Sequence, residues 1–343
     1  MRKLSPQQIP LGVPGSQKAR AVVASSQRLS AATYLKGPAV FGFNGVYKPF
    51  SIDAEVVDSG LEPGPRCPDL VRMWESEQQF PGFTDGVPRS SGARLRANIR
   101  DEVREALRQG RCTTNPSGWL FGQLAATLRP DEPGPGERAA LRALLTGRSP
   151  HQTRAELAGL VIDLGTTTLT EAEALGHIRP RCSRALAPIV DAVVGYERFA
   201  ILADAAFRTL CAVSYGMGTQ PLTPEHVRGH ELIERCAQDI PGRFRRAAEC
   251  MQAIGADEGM EEQLGEFAIP RSPTELVEVV LAHHEAVQAG KPPNGKRPWF
   301  EPLSGGWVVR PPYGSAGVPD IDVGFVHPVR IDPLRRFLED TSA

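Results

Sequence analysis

The sequence holds no CxxC pair, no P-loop, no GxGxxG and, before Asp53, no acidic residue at all. Its six cysteines (Cys67, Cys112, Cys182, Cys211, Cys236, Cys250) are scattered. Without paired spacing they do not encode a structural zinc site, and they read as small buried apolar residues of a reducing compartment. Gly216-Met217-Gly218 lacks the third glycine of a dinucleotide fingerprint. No Ser–His–Asp elbow is present. Pro319-Asp320 begins like a PD-(D/E)xK nuclease core, but IDVGFVHPVR follows, with no acid-x-Lys to hold metal and water. The paired elements of HNH and phospholipase-D-type nucleases are missing too. Long apolar runs are also lacking. The most apolar stretch, Ile189–Val213, is broken by Asp191, Glu197, Arg198, Asp204 and Arg208, so no membrane span is expected. The charged N-terminus leads into no apolar segment of signal-peptide type, and the cytoplasm is the expected location.

What is there describes a globular chain. Its 343 residues, 41% hydrophobic and 23% charged, suffice for two or three domains with buried cores. A net charge of −1 conceals a strong asymmetry. Arg2, Lys3, Lys18, Arg20, Arg28, Lys36 and Lys48 stand unopposed in the acid-free N-terminal region, whereas Glu225–Glu266 carries ten acids against five arginines. Local charge decides where a polyanion binds. Arginine outnumbers lysine amid abundant Ala, Gly and Pro, a bias that a high-GC bacterial genome produces, so the arginine total by itself signals little.

Periodicity predicts mostly helices. Ser16–Leu35 has a serine cap, a basic last turn and a Gly37-Pro38 stop. Phe43-Asn44-Gly45 reads as a turn, Val46–Glu55 as a short helix with Pro49 in its first turn, and Pro68–Gln79 as a helix burying Leu70, Val71 and Trp74. Pro81–Arg89 reads as a linker. In Gly92–Gln109, Leu95, Ile99, Val103 and Leu107 form an apolar stripe beside Arg96, Arg100, Arg104 and Arg108. Asp101, Glu102 and Glu105 share that helix, so the arginines read as a paired, solvated face. PDEPGPG (130–136) is a break. Helices follow at Glu137–Thr146, Gln152–Asp163, Leu169–Leu175, Arg181–Val213, Pro224–Ile254 and Pro273–Ala289. Gly306–Arg310 is a strand with Val323–Val326 as its partner, and Asp332–Glu339 is a last short helix. The expected class is mainly α, a helical multi-domain protein with a small β element near the C-terminus. Its expected segments are 1–88, 89–135 (amphipathic helices and linker), 136–290 (helical domain) and 291–343.

VIDLGTTT (161–168) resembles the first phosphate loop of the actin-like and chaperone ATPases. In that family the motif ends a strand, and a second loop and an adenosine-binding Gly-Gly follow in order. Here a helical pattern precedes it, and Gly305-Gly306 and Asp322-Val323-Gly324 come in reversed order, so the segment reads as a helix end with a Ser/Thr-rich loop. His226 and His230, four apart, would share a helix face. A zinc protease needs Glu after the first histidine, and position 227 is Val, so a structural role is expected. His283, His284 and Glu285 are consecutive and point apart on a helix; with His327 they are the best candidates for a metal or acid–base site.

Two basic features bear on binding. The layout of the first 80 or so residues, helix, turn, short helix, helix, resembles a helix-turn-helix or winged-helix domain. That resemblance implies phosphate contacts from Lys18, Arg20, Arg28, Lys36 and Lys48 around a helix in the major groove. A generic helical domain with a solvated basic face is the other reading. In GKPPNGKRPWFEPLSGGWVVR (290–310), Lys291, Lys296 and Arg297 interleave with Trp299, Phe300 and Trp307, and Arg310 follows. Such a loop neutralises phosphate and stacks bases, or its tryptophans anchor it on the core. HHEAVQAGKPPNGKRPWFE and FVHPVR also resemble uncharacterised bacterial proteins of phage-defence gene clusters. The resemblance implies an accessory or DNA-recognition subunit and carries no catalytic residues. The leading expectation is therefore a non-catalytic DNA-binding protein with protein partners and no assigned cofactor or metal. A dispersed-site enzyme and a protein-only scaffold are the alternatives.

Overall fold

The computed structural model describes residues 47–108, 133–147, 152–165, 169–291, 295–314, 317–322 and 324–342, together with Ser25. The expected helix Ser16–Leu35, the turn at 43–45 and Lys18, Arg20, Arg28 and Lys36 lie outside them. The fold is mainly α with one small antiparallel sheet near the C-terminus. It divides into two compact units, residues 1–145 with 340–343, and residues 146–339.

The first unit contains α1 (Lys48–Asp53), α2 (Cys67–Glu77), α3 (Ser91–Arg108) and α4 (Pro135–Thr146). Pro49 lies in the first turn of α1, where a missing N–H costs nothing. The most buried residue of α2 is not one of the expected apolar trio but Glu75, 3% exposed. Its carboxylate accepts hydrogen bonds from the backbone of Gly82 (2.9 Å) and Thr84 (2.5 Å). Burial pushes its pKa up, and the hydrogen bonds from Thr84 and Gly82 outweigh that, holding the carboxyl below its usual range. Pro81–Arg89 is therefore an anchored turn rather than a linker, with Phe80 and Phe83 in an edge-to-face chain with Trp74. On α3, Leu95 is buried and Ile99 packs beside it, but Val103 is 52% exposed, so the expected apolar stripe is not continuous. Asp101 pairs with Arg100 and Arg104, as its position predicts. Glu77 caps α4, its two oxygens accepting from the backbone of Gly136 (2.6 Å) and Glu137 (2.8 Å).

The second unit is built on one long helix. Its elements are α5 (Gln152–Asp163), α6 (Glu171–Ile178), α7 (Ala187–Gly216), α8 (Glu231–Gln252), α9 (Met260–Leu264), α10 (Pro273–Ala289), β1 (Phe300–Leu303), β2 (Gly306–Val309) and α11 (Ile331–Asp340). Val161-Ile162-Asp163 closes a helix, not a strand, which removes the setting an ATPase phosphate loop needs. Thr170 and Glu173 form a capping box on α6, and Ser272 and Glu275 another on α10, where Pro273 takes the first turn.

The helix expected at Arg181–Val213 is two elements. A 3-10 turn, Arg179–Arg181, precedes α7 and is tied to it by a two-pronged Arg179–Asp191 pair at 2.6 and 2.7 Å. The helix expected at Pro224–Ile254 is likewise a 3-10 turn, Pro224–Val227, followed by α8. His226 caps that turn, accepting from Thr223 N at 3.0 Å, while His230 is the N-cap residue of α8, so the two histidines share no helix face.

β2 pairs with β1, not with Val323–Val326. Ser304 and Gly305 both adopt positive φ (46° and 85°), the conformation that a two-residue hairpin turn requires. Leu222 adds a bridge to Trp307, with reciprocal hydrogen bonds of 2.7 and 2.9 Å. That approach leaves no space for a side chain at 306, where a Cβ would meet Leu222 O at 2.3 Å.

Helix α7, about 45 Å long at 1.5 Å per residue, runs through two cores. Leu186 and Val190, at its start, pack with Val161 of α5, Leu175 and Ile178 of α6 and Leu338 of α11. Phe199 through Cys211 pack with Ile233, Ile240 and Phe244 of α8, Leu276 and Val280 of α10, and Phe300 and Val309 of the hairpin. Among the described residues, α7 is also the one helix long and apolar enough to cross a bilayer by length and composition. Over half of its most apolar window (56%) is already buried inside the protein, which accounts for that apolarity.

Candidate functional site

Where α7 leaves the first core, two consecutive residues differ sharply in exposure. Glu197 is completely buried, and Arg198 is exposed. Glu197 points into a buried network that fixes the C-terminal segment FVHPVR (325–330). Its Oε2 accepts from Val326 N (2.9 Å) and His327 N (3.1 Å), and its Oε1 meets His327 Nδ1 (3.2 Å) and Arg330 Nη2 (2.8 Å). Glu171, the first residue of α6, accepts from Arg330 N (2.7 Å), Ile331 N (3.2 Å) and Arg330 Nη1 (2.9 Å). Two buried carboxylates thus receive four backbone N–H groups and share one guanidinium. Burial opposes the charge on Arg330, and the bonds to Glu171 and Glu197 more than restore it, raising its pKa.

Arg198 instead lines a cleft of about 90 Å³, together with residues of α7 and α8, Ala172 of α6, and Ile321, Asp322, Gly324 and Phe325. Arg235, Asp239 and Arg243 stand at four-residue intervals on α8 and therefore on one face. Arg235 forks onto Asp322, with one prong at 3.1 Å, and Asp239 lies 3.9 Å from its Nε. The Arg235 bonds hold the Asp322 carboxyl below its usual pKa. Among the described residues, Arg198 and Arg243 are exposed and make no ion pair or hydrogen bond. The lining thus holds three arginines against two aspartates, and two of its guanidiniums are uncommitted. Asp322 is held by Arg235, and the chain just beyond Phe325 is held by Glu197 and Glu171, so the buried network fixes the cleft's outer wall.

The residues expected from sequence are distributed differently. Lys48 opens α1 and is half-buried. Lys291 and Lys296 follow α10, each donating its backbone N–H to Gln288 O (3.2 and 2.8 Å). Arg297 pairs with Glu301 at 2.6 Å. Arg310 lies 3.5 Å from the same carboxylate, donates to Pro298 O and sits over the Tyr313 ring. Trp299 stacks flat on Tyr313 (4.2 Å, 9°), and it and Trp307 pack on the core beneath. The tryptophans of 290–310 anchor the segment, and Glu301 answers its two arginines.

The histidines find separate partners. His283 meets Phe267 edge-on, His284 stacks on Phe207 at 4.3 Å, and His327 joins Glu197; Glu285 is exposed. Among the described residues no three His, Cys, Asp or Glu side chains gather as metal ligands.

A larger cavity of about 230 Å³ lies between Leu164, Leu169, Glu171, Pro328 and Arg335. No family model, curated protein or solved structure matches this chain.

Sequence reasoning passed over Arg198, Arg235 and Arg243 because it summed charge over a segment. Glu225–Glu266 is acidic in total, yet the four-residue spacing of Arg235, Asp239 and Arg243 segregates cations onto one face. Glu197 and Arg198 were interruptions of an apolar run. A charged pair inside such a run is itself the signal, since burying a charge is tolerated only with partners.

Proposed function

We propose that the protein is a non-catalytic binding protein that engages DNA through its phosphates, as an accessory or recognition subunit of a bacterial multiprotein system of phage-defence type. The observation that carries this reading is the cleft at α7 and α8, where Arg198 and Arg243 stand exposed and uncommitted beside the Arg235–Asp322 pair. Guanidinium groups match phosphate oxygens in pairs and keep their charge at every physiological pH. Lys18, Arg20, Arg28, Lys36 and Lys48, in a stretch with no acid to oppose them, and Lys291 and Lys296 are further candidates for phosphate contacts. The exposed acids Asp257, Glu258, Glu261 and Glu262 are offered to protein partners instead.

Fluorescence anisotropy with single- and double-stranded DNA at several salt concentrations tests this. Micromolar or tighter binding that weakens steeply with salt is expected, its slope counting phosphate contacts. No binding at low salt would overturn the reading in favour of a protein-only scaffold.

A further inference from the structure

We propose that the Arg198–Arg235–Arg243 cleft holds a single phosphomonoester, such as the phosphorylated end of a nucleic-acid strand. This rests on the phosphate-binding reading above and makes it narrower. The cleft is a pocket rather than a track. Its 90 Å³ is lined by α7, by α8 and by Ile321, Asp322, Gly324 and Phe325, room for a few waters or one tetrahedral anion. A phosphodiester inside a strand continues on both sides and offers two free oxygens, whereas a monoester ends the chain with three oxygens and a charge of about −1.5 to −2 at pH 7. Two uncommitted guanidiniums on facing helices match that doubly charged end. The pocket floor is prepared as well: Ile201 and Leu202 rise from the core beneath it, and a dry floor strengthens charge-assisted bonds.

Asp239 and Asp322 share the lining. Asp322 is engaged by Arg235 and Asp239 is only distantly paired; both oppose an anion, so the preference for the doubly charged end rests on the excess of arginines. Among the described residues no histidine lines the cleft, and the charged groups facing it are Arg198, Arg235, Arg243, Asp239 and Asp322. Guanidinium groups as a class keep their charge across the physiological range, so a pH response between about 5 and 7.5 is expected from the ligand. Its second ionisation lies near 6, and binding is expected to tighten as pH rises through it.

The test uses the full chain and a short single-stranded DNA labelled at its 3′ end, with a 5′-phosphate or a 5′-hydroxyl. The phosphorylated strand is expected to bind about tenfold more tightly, and the advantage is expected to disappear in Arg198→Gln and Arg243→Gln. Both side chains are exposed, so each variant is expected to keep the wild-type melting temperature. Equal binding of the two strands at all pH values overturns the monoester pocket and leaves the DNA reading standing. A second arm adds adenosine monophosphate or inorganic phosphate. If these raise the wild-type melting temperature but not that of the variants, while neither strand binds, the monoester pocket holds and its source is a free nucleotide or phosphate. In that case the DNA reading fails. No response to any of the probes overturns both.

Discussion

Glu197 makes four polar contacts from a position with no solvent exposure, and Arg330 joins it to Glu171. Removing one member of a buried charged set leaves the others uncompensated, at a cost of about 3–5 kcal/mol. Arg330→Ala is expected to destabilise by that order in urea titrations, and Glu197→Ala comparably. A loss under 1 kcal/mol in both would mean that the network does not hold the segment. His284 yields a pH prediction. Burial first, then Lys291 and His283, lowers its pKa to about 4. Its Nε2 also accepts from Trp299 N at 3.1 Å, which protonation forbids. The unfolded chain takes up this proton near 6.5 and the folded chain only near 4, so stability is full above 6.5 and falls as pH drops toward 4. His284→Gln keeps an acceptor without a titration. Melting temperatures from pH 7 to 4 should therefore fall less in the variant, and parallel curves would refute the assignment. Burial also pushes the Cys211 and Cys236 thiols up to about 12, so neither should react with a thiol reagent until the protein unfolds.

Elements whose ends carry local chemistry were readable from sequence. α10 occupies the expected Pro273–Ala289 because Ser272, Pro273 and Glu275 specify its start within four residues. The hairpin was half readable. Ser304-Gly305 is a turn signal, but Pro302 argues against a strand, and only the structure shows it tolerated in a two-stranded sheet opposite Trp307. The break before α8 was hidden because Pro224–Val227 keeps helical periodicity while its ends close as a 3-10 turn. The cleft was unreadable for a related reason: its three arginines come from two helices, and its wall is a segment about 80 residues further on. Gly306 provides the test at this level. A side chain there collides with the Leu222 backbone that bridges to Trp307. Gly306→Val is expected to cost about 1–3 kcal/mol, as overpacking does, with a change in tryptophan fluorescence as the bridge opens. An unchanged denaturation midpoint would show that the bridge contributes nothing.

Two separate cores in residues 146–339 would ordinarily be expected to melt separately, but α7 belongs to both. Leu186 and Val190 pack with α5, α6 and α11, and Phe199 through Cys211 pack with α8, α10 and the hairpin, so neither core can be lost while α7 stays satisfied. Glu197 lies between them and ties the segment before α11 to the same helix. This coupling also bears on the cleft, because Arg198 is held on α7 between the two cores. Truncating Leu186 in one core and Phe244 in the other, each to Ala, is expected to cost about 2–5 kcal/mol. Both changes should shift a single common transition. Hydrogen exchange followed by mass spectrometry reads the outcome peptide by peptide. If α7 threads one cooperative unit, Leu186→Ala speeds exchange in α8 and α10 as much as in α5 and α6. If Leu186→Ala speeds exchange only around α5, α6 and α11, the cores unfold independently, and Arg198 is held by the second core alone.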